Sequence, residues 1–282
     1  MSNSRYIIGI GAQKSGTTWL ASYFSAHPQI LMSPIKELHF FDSIYTPQLC
    51  ARLEADKINS FVHIAHHLQL EDIVEKNARY SRFDKLMDGI KIGNDINNYR
   101  NYFARHAKDE LAYCEITPAY SLLDTKGFAA IKSLADDVRL IFLMRNPVDR
   151  FWSGLRMQAQ KKPQVLEKVE KFLNKSRFAL RTDYNKTLTN VYEVFPKERV
   201  FVGFYEHLFN TQTITQLCQF CDIDFIVPDT QKKVLEGVSI PLTPQMRQTI
   251  YYKFSHIYDW AEREFGENLP ASWQADINAY RL

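Results

Sequence analysis

Short apolar runs recur along the chain and alternate with longer stretches in which apolar residues have helical spacing. The runs lie at 6–10, 30–32, 111–115, 138–144 and 199–204. Strands separated by helical stretches are typical of a parallel sheet with helices on both faces. The pattern therefore predicts an α/β fold, a three-layer sandwich with a central parallel sheet flanked by helices.

The domain organisation follows from what interrupts this pattern. No Gly-, Ser- or Pro-rich linker, repeat or low-complexity tract divides the 282 residues. A chain of this length forms one large domain or two smaller ones, and we predict a single domain over 1–282. The segment 43–110 has no clear strand and is rich in His, Asn and charge. We predict that it is a helical insertion on the substrate side of the ligand site.

Charge and hydropathy exclude some partners. The net charge of +3 is small and spread along the chain, so it gives no electrostatic footprint for nucleic acid. No apolar run approaches the ~18 residues of a membrane span, so no integral membrane segment is predicted. The N-terminus enters the first strand without a signal-peptide core, which favours a cytoplasmic protein.

Two groups of residues have metal-ligand chemistry but not metal-ligand spacing. Cys218 and Cys221 form a Cys-x-x-Cys pair without a second pair, in a helix-like run. Zinc and redox chemistry are alternatives, but we favour buried helix positions. His63, His66 and His67 have no neighbouring acidic or Cys ligands, which favours a solvated helix face. We therefore predict no metal site.

The stretch from Gly11 to Leu20 follows the first predicted strand and leads into a helical segment. Its glycines free backbone N–H groups, and the positive end of the helix dipole points to the same place. Lys14 adds a formal positive charge. These features predict a site for a phosphate or sulfate group, and hence an anionic cofactor.

This stretch departs from the nucleotide-binding P-loop, which reads GxxxxGK followed by Ser or Thr. Gly11 and Gly16 keep the glycine spacing, but Lys14 lies between them. Thr17 takes the position of the usual lysine. The stretch can still hold phosphates, but it lacks the residue order of the standard metal–nucleotide site.

The strand at 138–144 gives a second test of metal-dependent chemistry. It ends in Arg145, where P-loop enzymes place an acidic residue that helps to hold magnesium. Asp149 lies close by and is the remaining carboxylate for a metal, or alternatively an ion-pair partner of Arg145. A magnesium-dependent nucleotide kinase therefore stays an alternative function.

Both segments resemble the cofactor signatures of sulfotransferases that use 3'-phosphoadenosine-5'-phosphosulfate (PAPS). The residues similar to the 5'-phosphosulfate loop of that family are Gln13, Lys14, Ser15, Gly16, Thr17, Thr18, Trp19 and Leu20. The segment Arg145–Ser153 resembles the 3'-phosphate site, in which an Arg and a later Ser hold the phosphate. The resemblance implies a P-loop-like fold and no metal.

Three further segments are similar to the bacterial and carbohydrate-directed branch of that family, which includes heparan-type enzymes. They are Lys36–Asp42, Cys114–Tyr120 and 181–206, which match a Lys-Glu-x-His-Phe-Phe segment, a Glu-x-Thr-Pro-x-Tyr segment and a helix, turn and last core strand. Some heparan-type members carry a catalytic Lys just before Thr-Pro, where this chain has Ile116. Lys36 is the candidate to replace it.

The resemblance also implies a reaction, in which a sulfuryl group passes to a hydroxyl or amine of an acceptor. Glu37 is the implied general base, although a surface ion pair with Lys36 is the alternative role for this carboxylate. His39 is the rival base, because the ordinary pKa of His is nearest neutrality. Lys14 is implied to stabilise the leaving group, and Thr17 and Thr18 to hold the 5'-phosphate.

The acceptor site is less well defined by sequence. Glu115 and Tyr184 are implied to line it together with Glu37, and a packed core Tyr is the alternative for Tyr184. The branch implies a carbohydrate, glycolipid or small natural product as acceptor, with a carbohydrate favoured. We predict that residues 235–241 close over the nucleotide, with Lys232 and Lys233 near the 3'-phosphate or solvated. A noncatalytic nucleotide-binding protein is the second alternative, and the oligomeric state is not predicted.

Overall fold

Five parallel strands form the centre of the computed structural model, which describes residues 5–50, 84–160, 162–174, 176–228 and 240–281. The strands are β1 (Arg5–Gly11), β2 (Ile30–Met32), β3 (Ala112–Ile116), β4 (Val138–Met144) and β5 (Val200–Phe204). Their order in the sheet is β2-β3-β1-β4-β5, and each neighbouring pair is parallel. The predicted strands are confirmed, with ends that shift by about one residue.

Helices fill the connections between the strands. The α-helices are α1 (Thr17–Ser25), α2 (Phe40–Tyr45), α3 (Pro47–Cys50), α4 (Ile96–His106), α5 (Thr125–Lys132), α6 (Pro147–Ala159), α7 (Val169–Leu173), α8 (Ser176–Leu180), α9 (Tyr184–Tyr192), α10 (Thr211–Cys221), α11 (Pro244–Phe265) and α12 (Ala271–Tyr280). A further helix covers 84–90. Short 3-10 helices lie at Pro118–Leu122, Pro163–Lys168, Lys197–Arg199, Tyr205–His207 and Gly266–Asn268.

Successive residues of the central strands pack on opposite faces of the sheet. On β1, Ile8 and Ile10 join one buried apolar cluster, whereas Ile7 joins the other. On β4, Phe142 and Ile141 are divided between the same two clusters. This alternation is what a strand buried on both faces requires, and it explains the continuous apolar runs of the sequence. The predicted three-layer α/β sandwich is confirmed.

The strand order brings the sequence motifs to one edge of the sheet. Gly11 ends β1, and Glu115 on β3 lies opposite Ile8 of β1 in the parallel register. Arg145 follows β4, which is the other neighbour of β1. The carboxyl ends of these strands share the edge at which open parallel sheets bind ligands.

The opposite edge of the sheet is held by an ion-pair network around Asp137. Its carboxylate accepts hydrogen bonds from Arg5 Nε at 2.7 Å, from Arg139 Nε at 3.0 Å and from Arg199. Arg5, Arg139 and Arg199 belong to or precede β1, β4 and β5. The network therefore ties three neighbouring strands together at their N-terminal ends.

Replacing Asp137 by Asn should lower the free energy of unfolding at pH 7 by about 1–3 kcal/mol, because three guanidinium groups lose their shared carboxylate. Burial raises the pKa of Asp137, but the hydrogen bonds from Arg139 and Arg5 outweigh it and the net shift is downward. This stabilisation is thus present above the ordinary pKa of Asp and is lost as the pH falls through the lower folded value.

Urea unfolding of the wild type and of Asp137→Asn, at pH 7 and at acid pH, measures this contribution. The exposed neighbour Asp136 gives a matched control, and Asp136→Asn should leave stability nearly unchanged. A difference between wild type and Asp137→Asn that stays constant from neutral to acid pH would refute the role of the network.

The predicted insertion at 43–110 is described in part. Residues 43–50 and 84–110 contain helices and, within these ranges, no strand. On α4, Tyr99, Tyr102 and Phe103 are fully buried and pack onto the larger apolar cluster. The position of the insertion beside the substrate stays a prediction. Among the helices of the described ranges, none combines the length and the apolar character that a membrane crossing requires.

Candidate active site

The loop between β1 and α1 leads directly into the N-terminus of α1. Gly16 stands at the N-cap with φ 86, a left-handed conformation that glycine adopts without strain. A Cβ at Gly16 would lie 2.5 Å from Cδ2 of Leu208, so a larger residue does not fit. No side chain in the described ranges caps α1. The first N–H groups of this nine-residue helix therefore remain available to an anion.

Ser15 and Lys14 bring two polar side chains to this loop. Oγ of Ser15 is buried and has no hydrogen-bond partner within the described part of the chain. A buried hydroxyl without a hydrogen bond lowers the stability of the folded protein by about 1–3 kcal/mol. A hydrogen bond to an oxygen of a bound ligand would remove that penalty. Lys14 also has a left-handed backbone, with φ 72, and its Nζ lies 3.9 Å from Sδ of Met157.

Positive charges crowd around Lys14. Burial lowers the pKa of Lys14, and the nearby charges of Arg145, Arg156 and Lys36 lower it further. The repulsion among these groups falls when an anion binds between them. The cation set therefore suits a ligand with several negative charges.

Lys36 links the loop to the proposed base. Its Nζ donates a 2.9 Å hydrogen bond to Oγ1 of Thr18, in the first turn of α1. The same Nζ lies 3.8 Å from Oε1 of Glu37. The pairing of Lys36 with Glu37 is thus observed, but it is not an isolated surface pair, because Lys36 also contacts α1, the helix that follows the predicted phosphate loop.

Glu37, His39 and Asp42 form a chain of charged groups. Oε2 of Glu37 lies 3.5 Å from Nε2 of His39, and Nδ1 of His39 lies 2.7 Å from Oδ2 of Asp42. Asp42 is fully buried at the start of α2. A carboxylate therefore faces each nitrogen of the His39 ring.

These contacts determine the protonation of the two candidate bases. Burial lowers the pKa of His39, but the hydrogen bonds to Asp42 and Glu37 outweigh it and raise the pKa to about 9. Burial raises the pKa of Glu37, but the hydrogen bond from His39 and the charges of Lys36 and Arg181 outweigh it, so the pKa is lowered. At neutral pH His39 is a cation without a free lone pair, and Glu37 is ionised. The electrostatics favour Glu37 over His39 as proton acceptor.

Glu115 holds the 37–40 segment in place through a set of buried hydrogen bonds. Its Oε1 accepts hydrogen bonds from the backbone N–H of Leu38 at 3.1 Å and from Tyr120 OH at 2.8 Å. Its Oε2 accepts one from Tyr99 OH at 2.6 Å. Tyr120 OH also lies 3.1 Å from the N–H of Phe40. These bonds hold Glu37 and His39 in left-handed conformations, with φ 58 and 55, that non-glycine residues rarely adopt.

Glu115, which was expected to contact the acceptor, is enclosed by protein groups in the structure. The residue has no exposed surface, and both of its oxygens are occupied by protein donors. Burial raises the pKa of Glu115, although the bonds from Thr117, Tyr99 and Tyr120 oppose that shift. Its geometry is that of a support for the 37–40 segment rather than of a substrate contact.

Tyr184 is likewise buried, so the packed alternative describes it better than contact with an acceptor. Its OH donates a 2.7 Å hydrogen bond to the backbone carbonyl of Arg145. The ring packs against Phe142 and Trp273. Tyr184 therefore supports the turn that carries Arg145.

Arg145 lies beside the phosphate loop. Its Nη1 donates a 3.2 Å hydrogen bond to the backbone carbonyl of Lys14. The guanidinium carbon lies 4.4 Å from the centroid of the Tyr205 ring, a cation–π contact. Ser153 is buried within α6, the helix that follows Arg145. The two residues predicted to hold the 3'-phosphate thus belong to one turn-and-helix unit.

Asp149 is engaged elsewhere. Its Oδ1 accepts a 2.9 Å hydrogen bond from Nη1 of Arg247 on α11. This contact replaces the ion pair with Arg145 that was the alternative for this residue. It also removes the support that an uncommitted carboxylate at this position would give to the kinase alternative.

Other predicted residues are found in packed positions. Thr17 and Trp19 are mostly buried on α1, and the Trp19 ring stacks on Tyr23 at 5.7 Å between centroids. Cys218 and Cys221 are buried on α10, which confirms the preferred interpretation of that pair. His63, His66, His67, Lys232 and Lys233 lie outside the described residues, as does the segment 235–239.

Several residues of the candidate site carried no recognisable signal in the sequence. Asp42 belongs to the Lys36–Asp42 motif, but nothing in the motif indicated that it contacts His39. The contribution of Tyr99 could not be foreseen, because it comes from the insertion, where no motif was recognised. Arg181 stood in a matched segment without a role, and its charge acts on Glu37.

The fold of this chain is similar to that of solved sulfotransferase structures. A search of curated protein sequences gave no match. The solved structure of a sulfotransferase from Alicyclobacillus acidocaldarius is similar, with TM-score 0.67 and 21% identity, covering 97% of this chain and all of the other. The sulfotransferase domain of the Synechococcus PCC 7002 olefin synthase has TM-score 0.51 and 17% identity, covering 90% of this chain and 94% of that domain. At these identities the likeness supports the fold alone.

The family of the protein is shown by its sequence. Residues 7–227 match the model described as "Sulfotransferase family". The matched range contains the phosphate loop, the Glu37 segment and the Arg145 turn, and it extends over most of the chain. The protein therefore belongs to the sulfotransferase family.

Proposed function

We propose that this protein transfers the sulfuryl group of PAPS to a hydroxyl or amine of an acceptor, with Glu37 as general base. The contacts of Lys36 are the observation that carries this proposal. Its Nζ is 2.9 Å from Oγ1 of Thr18 and 3.8 Å from Oε1 of Glu37. A single lysine thus contacts both the helix that follows the phosphate loop and the proposed base. Transfer requires the donor and the base to lie this close together.

The donor set of the site suits PAPS. Lys14, Thr17, Thr18 and the N–H groups at the start of α1 would hold the 5'-phosphosulfate. Arg145 and Ser153 would hold the 3'-phosphate, since a guanidinium binds phosphate in a bidentate way. The buried Ser15 hydroxyl, which has no partner among the described residues, supports the fit. When bound, PAPS supplies a sulfuryl group activated by its bond to phosphate.

Residues of the chain would accept the proton, neutralise the leaving group and hold the base in place. Glu37 accepts the proton of the acceptor hydroxyl or amine at its carboxylate. Lys14 and Lys36 neutralise the negative charge that grows on the bridging oxygen of the leaving phosphate. Protonated His39, paired with Asp42, restrains the Glu37 carboxylate and keeps it ionised. The Lys36 contacts support the hypothesis that this residue replaces the lysine of heparan-type members.

The acceptor class rests on the branch resemblance. The Lys36–Asp42 and Cys114–Tyr120 segments favour the bacterial and carbohydrate-directed branch, and hence a carbohydrate, a glycolipid or a small natural product. We propose that the 43–110 segment helps to select it within a single-domain protein. The cytoplasmic location stays a prediction from sequence.

The direct test of this function is release of 3',5'-adenosine bisphosphate (PAP) from PAPS in the presence of EDTA. The protein is incubated with PAPS and a panel of sugars, glycolipids and small phenols or amines. Acceptor-dependent formation of PAP, with sulfate found on the acceptor, supports the proposal. Absence of transfer to any acceptor, together with phosphoryl transfer from magnesium-ATP, would favour the kinase alternative.

Replacing Arg145 by Ala should weaken PAP binding about 10- to 150-fold, the equivalent of losing a charge-assisted hydrogen bond of about 1.5–3 kcal/mol. Binding of adenosine 5'-monophosphate (AMP), which lacks the 3'-phosphate, should change little. Calorimetric titration of both ligands measures the effect, and the exposed Arg263→Ala is the control. Equal weakening of PAP and AMP would argue against contact with the 3'-phosphate.

A further inference from the structure

The backbone of the turn that carries Arg145 is held on both sides. Tyr184 OH donates a 2.7 Å hydrogen bond to the carbonyl of Arg145. The next N–H, that of Asn146, donates a 2.8 Å hydrogen bond to Oε1 of Glu206. The direction of the Arg145 side chain therefore depends on where these partners hold the peptide between them.

The fully buried side chain of Asn146 connects this turn to the C-terminal helices. Its Nδ2 donates hydrogen bonds to Oδ2 of Asp276 at 2.7 Å and to the carbonyl of Ser272 at 3.1 Å. Its Oδ1 accepts hydrogen bonds from Tyr258 OH at 2.9 Å and from the N–H of Asp149 at 3.2 Å. The residue that caps α6 is thus anchored by α11 and α12.

Asp276 is the centre of that anchor. It is only 3% exposed, and Arg247 donates to it through Nε at 2.6 Å and through Nη2 at 2.8 Å. The remaining Nη1 of Arg247 reaches Oδ1 of Asp149 at 2.9 Å. Arg247 therefore ties Asp276 to the first turn of α6. A buried carboxylate that loses such partners is left with unsatisfied hydrogen-bonding capacity.

The same helices also reach the aromatic surface beneath the Arg145 guanidinium. Trp273 Nε1 on α12 donates a 3.2 Å hydrogen bond to Oε1 of Glu206. Glu206 directly follows Tyr205, whose ring lies 4.4 Å from the guanidinium carbon. The C-terminal helices thus support Arg145 both through its backbone and through the ring on which it rests.

We infer that Asp276 and Arg247 are positioning residues for the donor site, which hold the Arg145–Asn146 turn so that the guanidinium meets the 3'-phosphate. Both residues lie beyond 227, where the family match ends. The inference rests on the proposed function, because it assigns a ligand to Arg145. It adds that the two C-terminal helices contribute to donor selectivity through contacts that do not touch the donor.

The test measures the preference for PAP over AMP, as the ratio of their dissociation constants. We expect wild type to prefer PAP and Asp276→Asn to reduce that preference about tenfold, a typical effect of removing a partner that orients a ligand-binding group. AMP binding should remain nearly unchanged. In the Arg145→Ala background, Asp276→Asn should have no further effect on the ratio, because both changes act through one contact.

The matched control is Asp259→Asn. Asp259 lies on α11, the helix that carries Arg247, but its carboxylate pairs with Arg281 at 3.0 Å on the exposed side. This variant should keep the full preference for PAP. Equal weakening of PAP and AMP by Asp276→Asn, or an unchanged ratio, would overturn the positioning role while leaving the proposed function intact.

The wild-type measurement itself can overturn both the proposed function and the positioning role. If wild type binds PAP no better than AMP, the proposed donor site is wrong and the positioning role falls with it. If Asp276→Asn does not fold, Tyr258→Phe replaces it as the test, since it removes the hydroxyl that lies 2.9 Å from Oδ1 of Asn146 and 3.0 Å from Oδ2 of Asp276. A smaller but selective loss of PAP affinity supports the inference, and an unchanged ratio overturns it.

Discussion

Replacing Glu37 by Gln should lower the rate of sulfuryl transfer about 10²- to 10⁴-fold, which is the usual contribution of a positioned general base. Gln has nearly the same shape and its amide oxygen still accepts a hydrogen bond from His39, so the fold and PAP binding should be preserved. The amide cannot take the proton of the acceptor. Single-turnover measurements with PAPS and a competent acceptor, paired with PAP titrations, separate the chemical step from binding.

The control for this substitution is Glu193→Gln, which changes an exposed carboxylate at the end of α9. It should transfer at the wild-type rate. If Glu37→Gln also transfers at the wild-type rate, Glu37 is only the ion-pair partner of Lys36. A large loss of PAP affinity in Glu37→Gln would instead assign the carboxylate to the organisation of the donor loop.

Replacing Lys14 by Met should lower the transfer rate about 10²- to 10³-fold, comparable to the loss of one electrostatic donor in an oxyanion site. Met keeps the length of the apolar stem, so the contact with Met157 and the loop conformation should persist. In the proposed mechanism, the lost charge is one that stabilises the leaving-group oxygen as it gains negative charge during transfer. PAP binding should weaken less than the rate, because Arg145 and the N-terminus of α1 still attract the phosphates.

Lys186→Met provides the comparison, since Lys186 is exposed in the first turn of α9. Its transfer rate should equal that of wild type. Should Lys14→Met lose PAP affinity and transfer rate in equal measure, Lys14 would be a ground-state binding residue without a special role in the chemical step.

Local signals predicted the sheet and marked the segments that form the candidate site. Each strand is buried on both faces, so an apolar run marks it without help from the rest of the chain. The phosphate loop is equally local, because Gly16 must take a left-handed conformation and α1 must start directly after it. Parallel strand ends then bring Gly11, Glu37 and Arg145 to one edge of the sheet, a consequence of topology rather than of any single motif.

Contacts between distant segments were not predictable in this way. Glu115 was expected at the acceptor from the family resemblance, but three hydroxyl groups and a backbone N–H enclose it. Asn146 caps α6, and its second role depends on Asp276, which lies 130 residues further along the chain. Such pairings carry no local pattern, since an isolated Asp in a C-terminal helix resembles any surface Asp.

Whether the site binds a PAPS-type donor is decided by calorimetric titration of the wild-type protein with PAP in EDTA, beside a titration with ATP and magnesium. We expect PAP to bind without metal, because Lys14, Lys36 and Arg145 supply the positive charge that a metal ion supplies elsewhere. Binding of magnesium-ATP without any binding of PAP would contradict the proposed donor and would point to a nucleotide kinase.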